Sequence, residues 1–141
     1  MSNLVLIVDD DNTTQLILQE LLKSEGYSPV ICSNGDTALE MLQVLEFQLV
    51  VLDINLPEIS GWDILNYIKA ECQRTSVLLL TGSSDEKTAE YEQSTQRDLY
   101  YSIVYKPIER TTFLSTVQKL VKNSLSRNKP KTAYEFDLKR D

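Results

Sequence analysis

The stretch that decides the fold is Leu4-Val-Leu-Ile-Val8-Asp9-Asp10-Asp11, in which five apolar residues run directly into three carboxylates. A run of five is too short for a buried helix, and its branched side chains suit a strand that is covered on both faces of a parallel sheet. The arrangement recurs where Gln48-Leu-Val-Val-Leu52 runs into Asp53. We therefore expect buried parallel strands whose carboxyl ends carry acidic groups.

Strands and helices are predicted to alternate along the chain. Three more short apolar runs predict strands: Ser28 to Cys32, Val77 to Leu80 and Ile103 to Tyr105. Apolar residues at helical spacing predict five helices, at about residues 12–25, 37–46, 62–71, 85–97 and 109–125. This order predicts a doubly wound α/β fold, a five-stranded parallel sheet with helices on both faces and right-handed crossovers. Such sheets bind ligands beyond the carboxyl ends of their strands.

The first two helices carry apolar stripes that are expected to face the core. The stripes consist of Leu16, Ile17, Leu18, Leu21 and Leu22 in the first helix and of Ala38, Leu39, Leu42 and Leu45 in the second. Asp11 or Asn12 is expected to cap the first helix, and Gly26 to end it. The segment 85–97 is mostly polar, so its helix is expected to be the least stable element.

The composition excludes several functional classes. The chain has 141 residues, 42% of them apolar and 25% charged, as in one globular domain. Its net charge of −7 disfavours a general binder of nucleic acid or of an anionic membrane. The chain contains no histidine, which excludes Ser-His-Asp and Cys-His nucleophiles, histidine-ligated zinc or haem, and a histidine phosphodonor within this chain.

The cysteines and apolar runs point to a cellular compartment. Cys32 and Cys72 are too few to form a metal cage, and we expect two reduced, buried thiols. The apolar runs fall far short of the ~20 residues of a membrane span, and the sequence has no secretory segment. A soluble cytoplasmic protein is the expectation.

The acidic residues are concentrated in the first 60 positions, which hold ten acids and one base. Carboxylates that meet at one edge of a sheet repel one another and favour a divalent cation, so a pocket of Asp9, Asp10 and Asp53 suits Mg²⁺. Thr81 and Lys106 follow the fourth and fifth predicted strands and would join this pocket. A carboxylate nucleophile, Mg²⁺, a lysine and a hydroxyl form an adequate set for phosphoryl transfer.

Each of these residues also has a purely structural interpretation. The run Asp9 to Asp11 could cap the first helix, and capping is the preferred role for Asp11 alone. Asp53 could be a loop carboxylate, Thr81 a cap and Lys106 an exposed turn lysine. These separate roles do not explain why all four polar motifs follow predicted strands.

In this order, the motifs resemble the receiver domain of bacterial response regulators, the phosphoacceptor half of two-component signalling. The resemblance covers roughly residues 3–125 and implies a flavodoxin-like sheet of order 2-1-3-4-5. The matching motifs are Val8-Asp9-Asp10, Asp53-Ile-Asn55-Leu-Pro57-Glu-Ile-Ser-Gly61, Thr81-Gly82 and Lys106-Pro107. Each motif alone is weak, whereas four in the right order are highly specific.

The resemblance implies a role for each acidic residue. Asp53 would accept a phosphoryl group from a phosphohistidine on a separate histidine kinase or histidine phosphotransfer protein. Asp10 would ligate Mg²⁺ most directly, and Asp9 would act largely through water. The main-chain carbonyl of Asn55 would supply a further ligand.

The resemblance also assigns the lysine and the hydroxyl. Lys106 would neutralise phosphoryl oxygens. Thr81 would hydrogen-bond the phosphoryl group and report its presence. In this family the peptide bond between the lysine and the proline, here Pro107, is usually cis.

The region before the lysine departs from the family pattern. Arg97-Asp-Leu-Tyr-Tyr101-Ser replaces the usual small-residue turn, and the spacing from the threonine to the lysine is 25 positions, a few more than usual. The aromatic switch position is occupied by Ile103, while Tyr101 and Tyr105 lie two residues to either side on the same strand face. We expect signal output to use Tyr101, Tyr105 or a different surface.

Residues 1–127 are expected to form the receiver domain and residues 128–141 a polar tail. A tail that is disordered, or ordered only by crystal packing, is the default expectation, and a segment that docks onto a sheet edge or a partner is the sharper hypothesis. With no room for a DNA-binding output domain, the expectation is a single-domain, stand-alone response regulator of a phosphorelay that binds no nucleic acid or membrane directly. It would switch the binding of an unknown downstream protein and would act as a signalling domain more than as an enzyme.

Two alternative functions stay open. The first is a receiver-like interaction module that signals without phosphorylation. The second, less favoured, is an aspartyl-phosphate phosphatase of the haloacid dehalogenase type. That family requires Asp-x-Asp, whereas this chain has Asn55 at the second acidic position.

Overall fold

The computed structural model describes residues 3–82 and 101–127, in which one parallel sheet is flanked by helices. The strands are β1 (Leu4–Val8), β2 (Ser28–Cys32), β3 (Leu49–Asp53), β4 (Ser76–Thr81) and β5 (Tyr101–Tyr105). The helices are α1 (Asn12–Ser24), α2 (Gly35–Val44), α3 (Gly61–Glu71) and α4 (Arg110–Arg127). The strand order is β2-β1-β3-β4-β5 and all four pairings are parallel, which confirms the predicted doubly wound fold. The helix predicted at 85–97 lies outside the described residues.

The sheet separates two apolar cores, and the alternation of side chains along β1 shows how. Leu6 and Val8 point into the core formed with α2 and α3, whereas Val5 and Ile7 point into the core formed with α1 and α4. Successive strand residues face opposite sides, so a strand covered on both faces must be apolar throughout. All residues of β3 and β4 are likewise buried.

Side-chain caps fix the start of each described helix. Asp11, and not Asn12, caps α1, because its Oδ2 accepts a hydrogen bond from the Thr14 N–H at 2.9 Å. Asn34 caps α2 and Ser60 caps α3 in the same way. Glu109 accepts hydrogen bonds from the first N–H groups of α4. These caps satisfy N–H groups that have no partner within the helix.

Several residues that were predicted to be buried are exposed. Leu16 and Ile17 are 60% and 46% exposed, because the inward face of α1 runs through Gln15, Leu18 and Leu22. A stripe of five apolar residues spans a wider arc than this helix buries. The second helix ends at Val44, earlier than predicted, and this leaves Leu45 43% exposed.

The two thiols also differ from each other. Cys32 is buried as predicted, and burial raises its pKa to about 11. Cys72 is only partly buried, because it is the residue that ends α3 rather than part of the helix face that packs on the sheet. Among residues 3–82 and 101–127, no helix has the length and apolar character that crossing a membrane requires.

Candidate functional site

Polar residues gather at the carboxyl edge of the sheet because four parallel strands end there. Asp9 follows β1, Asp53 ends β3, Thr81 ends β4 and Lys106 follows β5. Asp9 and Thr81 are fully buried and Asp53 is only 4% exposed, although all three are polar. Buried polar groups of this kind need partners, so the contacts among them define the site.

Three carboxylates form the centre of the site. Asp9, Asp10 and Asp53 each offer an oxygen that lies within 4.8 Å of the other two. Asp9 and Asp53 are buried, while Asp10 is exposed and forms the solvent side of the cluster. Like charges at this distance repel one another, so the fold has to compensate them.

Lys106 and the main chain together compensate the two buried carboxylates. The Lys106 Nζ lies 3.3 Å from Oδ2 of Asp9 and 3.3 Å from Oδ2 of Asp53. The other oxygen of each carboxylate accepts a hydrogen bond from a main-chain N–H two residues later, that of Asp11 or of Asn55, at 2.9 Å in both cases. Each buried carboxylate thus has one oxygen fixed by the backbone and one facing the ammonium.

The balance of these contacts shifts two pKa values. Burial raises the pKa of Asp9, and the charge of Asp53 adds to this rise, whereas the Asp11 N–H and Lys106 oppose it. Partial burial alone would lower the pKa of Lys106, but the charges of Asp53 and Asp9 outweigh it and raise the pKa. Lys106 is therefore a permanent cation in this site at physiological pH.

The lysine is held in place by its own backbone. Its N–H donates to the main-chain carbonyl of Thr81 at 2.8 Å, which joins the ends of β4 and β5 at the site. The Lys106–Pro107 peptide bond is cis, as the sequence motif predicted.

The loop that follows Asp53 packs tightly against the main chain of Asp53. The Gly61 N–H donates to the carbonyl of Ile54 at 3.0 Å, and the Ile54 N–H donates to the carbonyl of Leu80 at 2.9 Å. A Cβ added at Gly61 would lie 2.5 Å from the Asp53 carbonyl oxygen. Within this loop Glu58 adopts a positive φ of 65°, which is uncommon for a residue other than glycine. These contacts hold the end of β3 close to the start of α3.

Gln15 is a site residue that the sequence analysis missed. It is 8% exposed, and its Nε2 donates to the carbonyl of Asp9 at 2.6 Å and to Ser33 Oγ at 3.0 Å. The available signal was its spacing, because a polar residue three and seven positions before Leu18 and Leu22 shares their inward face.

The proposed switch residues lie on β5. Tyr101 and Ile103 are partly buried and pack against the apolar core with α2 and α3, whereas Tyr105 is 37% exposed. The Lys69 Nζ stands 4.9 Å from the centre of the Tyr101 ring. Tyr101 and Ile103 therefore share one face of the strand.

The donor set of the cluster fits Mg²⁺. Hard cations prefer oxygen ligands, and Mg²⁺ typically takes one or two carboxylates and keeps several waters. The cluster offers three carboxylate oxygens within 4.8 Å, and the exposure of Asp10 leaves a side open to water. The single positive charge of Lys106 compensates two buried acids. A bound cation would add positive charge and reduce the remaining repulsion among the carboxylates.

The sheet order and this acidic edge are those of a receiver fold, and comparisons with known proteins agree. The chain belongs to the response regulator receiver domain family, which matches residues 5–118. The cell cycle transcriptional regulator CtrA of Caulobacter vibrioides is 28% identical over 120 residues, which cover 85% of this chain and 51% of CtrA. The autoinducer 1 sensor kinase/phosphatase LuxN of Vibrio campbellii is 26% identical over 133 residues, 94% of this chain and 15% of LuxN. The chain thus spans about half the length of CtrA and less of LuxN.

Solved structures support the same fold. A CheY-like receiver domain protein from Methanospirillum hungatei JF-1 has a TM-score of 0.80 at 20% identity, covering 91% of this chain and 100% of that one. The receiver domain of an HD domain-containing protein from Pseudomonas fluorescens Pf-5 has a TM-score of 0.79 at 25% identity, covering 89% and 99%. The chain is therefore a two-component signalling domain with a CheY-like, flavodoxin-like architecture.

Proposed function

We propose that this protein accepts a phosphoryl group on Asp53 from a phosphohistidine of another protein, and that phosphorylation changes its affinity for a downstream partner. The observation that carries the proposal is the position of Asp53, which lies 3.3 Å from the Lys106 ammonium and within 4.8 Å of the other two acids. Asp53 also keeps a small exposed fraction, 4%, whereas Asp9 has none. Of the two buried acids, Asp53 is therefore the one that a donor reaches.

The contacts of Asp53 select the attacking oxygen. Its Oδ1 accepts a hydrogen bond from the Asn55 N–H, so Oδ2, which faces Lys106, is the nucleophile. An O–P bond forms to Oδ2 while the N–P bond of the phosphohistidine breaks, and its electron pair stays on the imidazole nitrogen. The Lys106 ammonium balances charge on the phosphoryl oxygens, and the buried Thr81 hydroxyl is proposed to hydrogen-bond the product.

Asp10, Asp9 and Asp53, together with the main-chain carbonyl of Asn55, are the groups proposed to hold Mg²⁺. When bound, the cation would neutralise negative charge on the transferring group. Asp10 is the proposed direct ligand because its carboxylate is the solvent-exposed member of the cluster. Asp9 is proposed to act largely through water, since its two oxygens already contact the Asp11 N–H and Lys106.

An exposed apolar pair on α1 supports a docking surface for the phosphodonor protein. Leu16 and Ile17 lie in the second turn of α1, about 7.5–9 Å along the helix from the Asp11 cap at 1.5 Å per residue. The helix starts three residues after Asp9, so a protein that contacts this pair also reaches the acidic cluster. We propose that Leu16 and Ile17 contact a histidine kinase or histidine phosphotransfer protein.

Signal output is proposed to use β5, through Tyr101 or Tyr105, or else a different surface. Tyr101 packs against the core, whereas Tyr105 is partly exposed and directly precedes Lys106. Substituting Tyr101→Ala and Tyr105→Ala separately tests this. If both phosphorylated variants bind the partner as wild type does, the output surface lies elsewhere than on β5.

The central experiment is incubation with acetyl phosphate and Mg²⁺, followed by intact mass analysis. Wild type should gain one phosphoryl group and Asp53→Asn none, while Asp36→Asn, an exposed carboxylate in α2, should label like wild type. Absence of an adduct on wild type would favour a phosphorylation-independent interaction module. Multiple turnover of small phosphoesters would favour a phosphatase.

A further inference from the structure

Gln15 is a buried amide on the inward face of α1 and contacts the acidic cluster through the backbone. Its Nε2 donates to the Asp9 carbonyl at 2.6 Å and to Ser33 Oγ at 3.0 Å. An amide nitrogen has two hydrogens, so both are used. Burying an amide without hydrogen-bond partners costs free energy. The two hydrogen bonds of Gln15 offset the cost of burying its amide beside Leu18 and Leu22.

The contact with the Asp9 carbonyl also constrains Asp10. The other polar groups of Asp9 are already held, because its N–H donates to the Cys32 carbonyl at 3.2 Å and its carboxylate contacts Asp11 and Lys106. The carbonyl of Asp9 and the nitrogen of Asp10 belong to one planar peptide unit. By holding that carbonyl, Gln15 fixes the plane from which the exposed carboxylate of Asp10 extends.

The same amide links the acid pair to the loop after Asp53. Ser33 directly follows β2, and two residues later Gly35 packs against Ile59, where an added Cβ would come within 2.7 Å of the Ile59 Cβ. Ile59 lies in the loop between β3 and α3. A continuous set of contacts therefore runs from the Asp9 carbonyl through Gln15 and the β2–α2 loop to the acceptor loop.

We propose that Gln15 is the positioning residue of the acidic cluster, holding the Asp9–Asp10 peptide in the orientation in which Asp10 engages a divalent cation directly and Asp9 engages it through water, together with Asp53. The inference rests on the proposed function. The three carboxylates repel one another, so an unrestrained acid pair would move apart. A neutral amide restrains the pair without adding a charge to the cluster.

The test is the Mg²⁺ affinity of the full chain, followed through the fluorescence of Trp62. This is the only tryptophan, and it follows Gly61 at the start of α3. Gln15→Met keeps the side-chain length and removes the donor. It should raise the Kd for Mg²⁺ by roughly tenfold or more, as loss of a residue that orients a ligand commonly does.

Ser33→Ala tests the link to the β2–α2 loop. Alone it should raise the Kd by roughly threefold, and in the Gln15→Met background it should have no further effect, because Ser33 acts through Gln15. Should Gln15→Met not fold, Ser33→Ala carries the test, and an unchanged Kd would overturn the proposal.

Gln19→Met makes the same chemical change one turn further along α1 and should keep the wild-type Kd. Melting temperatures without Mg²⁺ separate positioning from a merely structural role. A Gln15→Met protein with a lowered melting temperature but the wild-type Kd would overturn the inference alone. A wild-type protein that binds no Mg²⁺ would overturn both this inference and the metal site of the proposed function.

Discussion

The Cα atom of Gly61 lies directly against the main-chain carbonyl of Asp53. A Cβ in this position would stand 2.5 Å from that carbonyl oxygen and 2.6 Å from the Cα of Ile54. Contacts under 3 Å with backbone atoms cannot be relieved by rotating a side chain. The first residue of α3 and Asp53 at the end of β3 are therefore packed backbone to backbone.

We expect Gly61→Ala to lower the free energy of unfolding by about 1–3 kcal/mol, because the loop between β3 and α3 has to shift to admit the methyl group. Gly82→Ala is the matched control, since no atom of residues 3–82 and 101–127 lies within 4 Å of a Cβ added there. Its free energy of unfolding should change by about 0.5 kcal/mol at most. Urea denaturation followed by circular dichroism measures both, and equal stability of the two variants would contradict the close packing.

The buried carboxylate of Asp9 should destabilise the metal-free protein at neutral pH. Burial raises its pKa in the folded state above the ordinary 3.8, so folding is favoured while Asp9 is protonated. This contribution is fully present below about pH 3.8 and is lost as the pH rises through the folded-state pKa. Asp9→Asn should therefore melt at a higher temperature than wild type at neutral pH, and the difference should shrink in acid.

Thermal melts with and without Mg²⁺ check this expectation. Mg²⁺ should raise the melting temperature of wild type more than that of Asp9→Asn, because only wild type keeps all three carboxylates. The exposed Asp36→Asn serves as control and should follow wild type. A metal-free Asp9→Asn that melts below wild type at neutral pH would show that the Lys106 contact outweighs burial.

The contribution of Glu109 to stability should depend on pH in the opposite direction to that of Asp9. Hydrogen bonds from the Thr112 hydroxyl and from the Thr112 and Thr111 N–H groups lower its pKa to about 2 from 4.5. Its contribution to stability is thus fully present above about pH 4.5 and is lost as the pH falls towards 2. Glu109→Gln should melt below wild type at neutral pH. The melting temperatures of the two proteins should converge as the pH falls. A difference in melting temperature that stays constant across the acid range would refute the capping role of the charge.

The exposed apolar pair on α1, Leu16 and Ile17, should affect the rate of phosphorylation by a protein donor but not by acetyl phosphate. We expect the double substitution Leu16→Ser and Ile17→Ser to slow phosphotransfer from a phosphohistidine protein that labels wild type by roughly tenfold. Labelling by acetyl phosphate should be unaffected, because the acidic cluster is untouched. Val44→Ser with Leu45→Ser removes an equally exposed apolar pair from the end of α2 and should change neither rate. Equal slowing with both donors would place the effect in the site itself.

The sheet and the strand-end residues could be predicted because their signals are local. Five apolar residues followed by Asp9 specify a buried strand and its functional end, and the family motifs supply the order of the sheet. The exposure of Leu16 and Ile17 could not be predicted, because apolar character alone does not say which arc of a helix faces the core. That arc is set by where α1 lies on the sheet, and there Leu18 and Leu22 point inward.

The role of Gln15 depends on contacts between segments distant in sequence. Its partner Ser33 is 18 residues away, and its contact with Asp9 is to a main-chain atom, which has no sequence signature. Lys106 is 97 residues from Asp9, yet it was predicted, because its place after a strand gave it a local signal. Pattern reasoning thus identifies residues at strand ends more readily than residues that support them from a neighbouring helix.

The outer position of β2 in the sheet has a consequence for association between copies of the protein. β2 pairs only with β1 in the described sheet, and its second residue is Pro29. Proline has no N–H to donate, so it is tolerated in an edge strand and interrupts the row of donors that a foreign strand would need. The outer edge of the described sheet thereby carries a built-in barrier to extension by a foreign strand and to fibril growth.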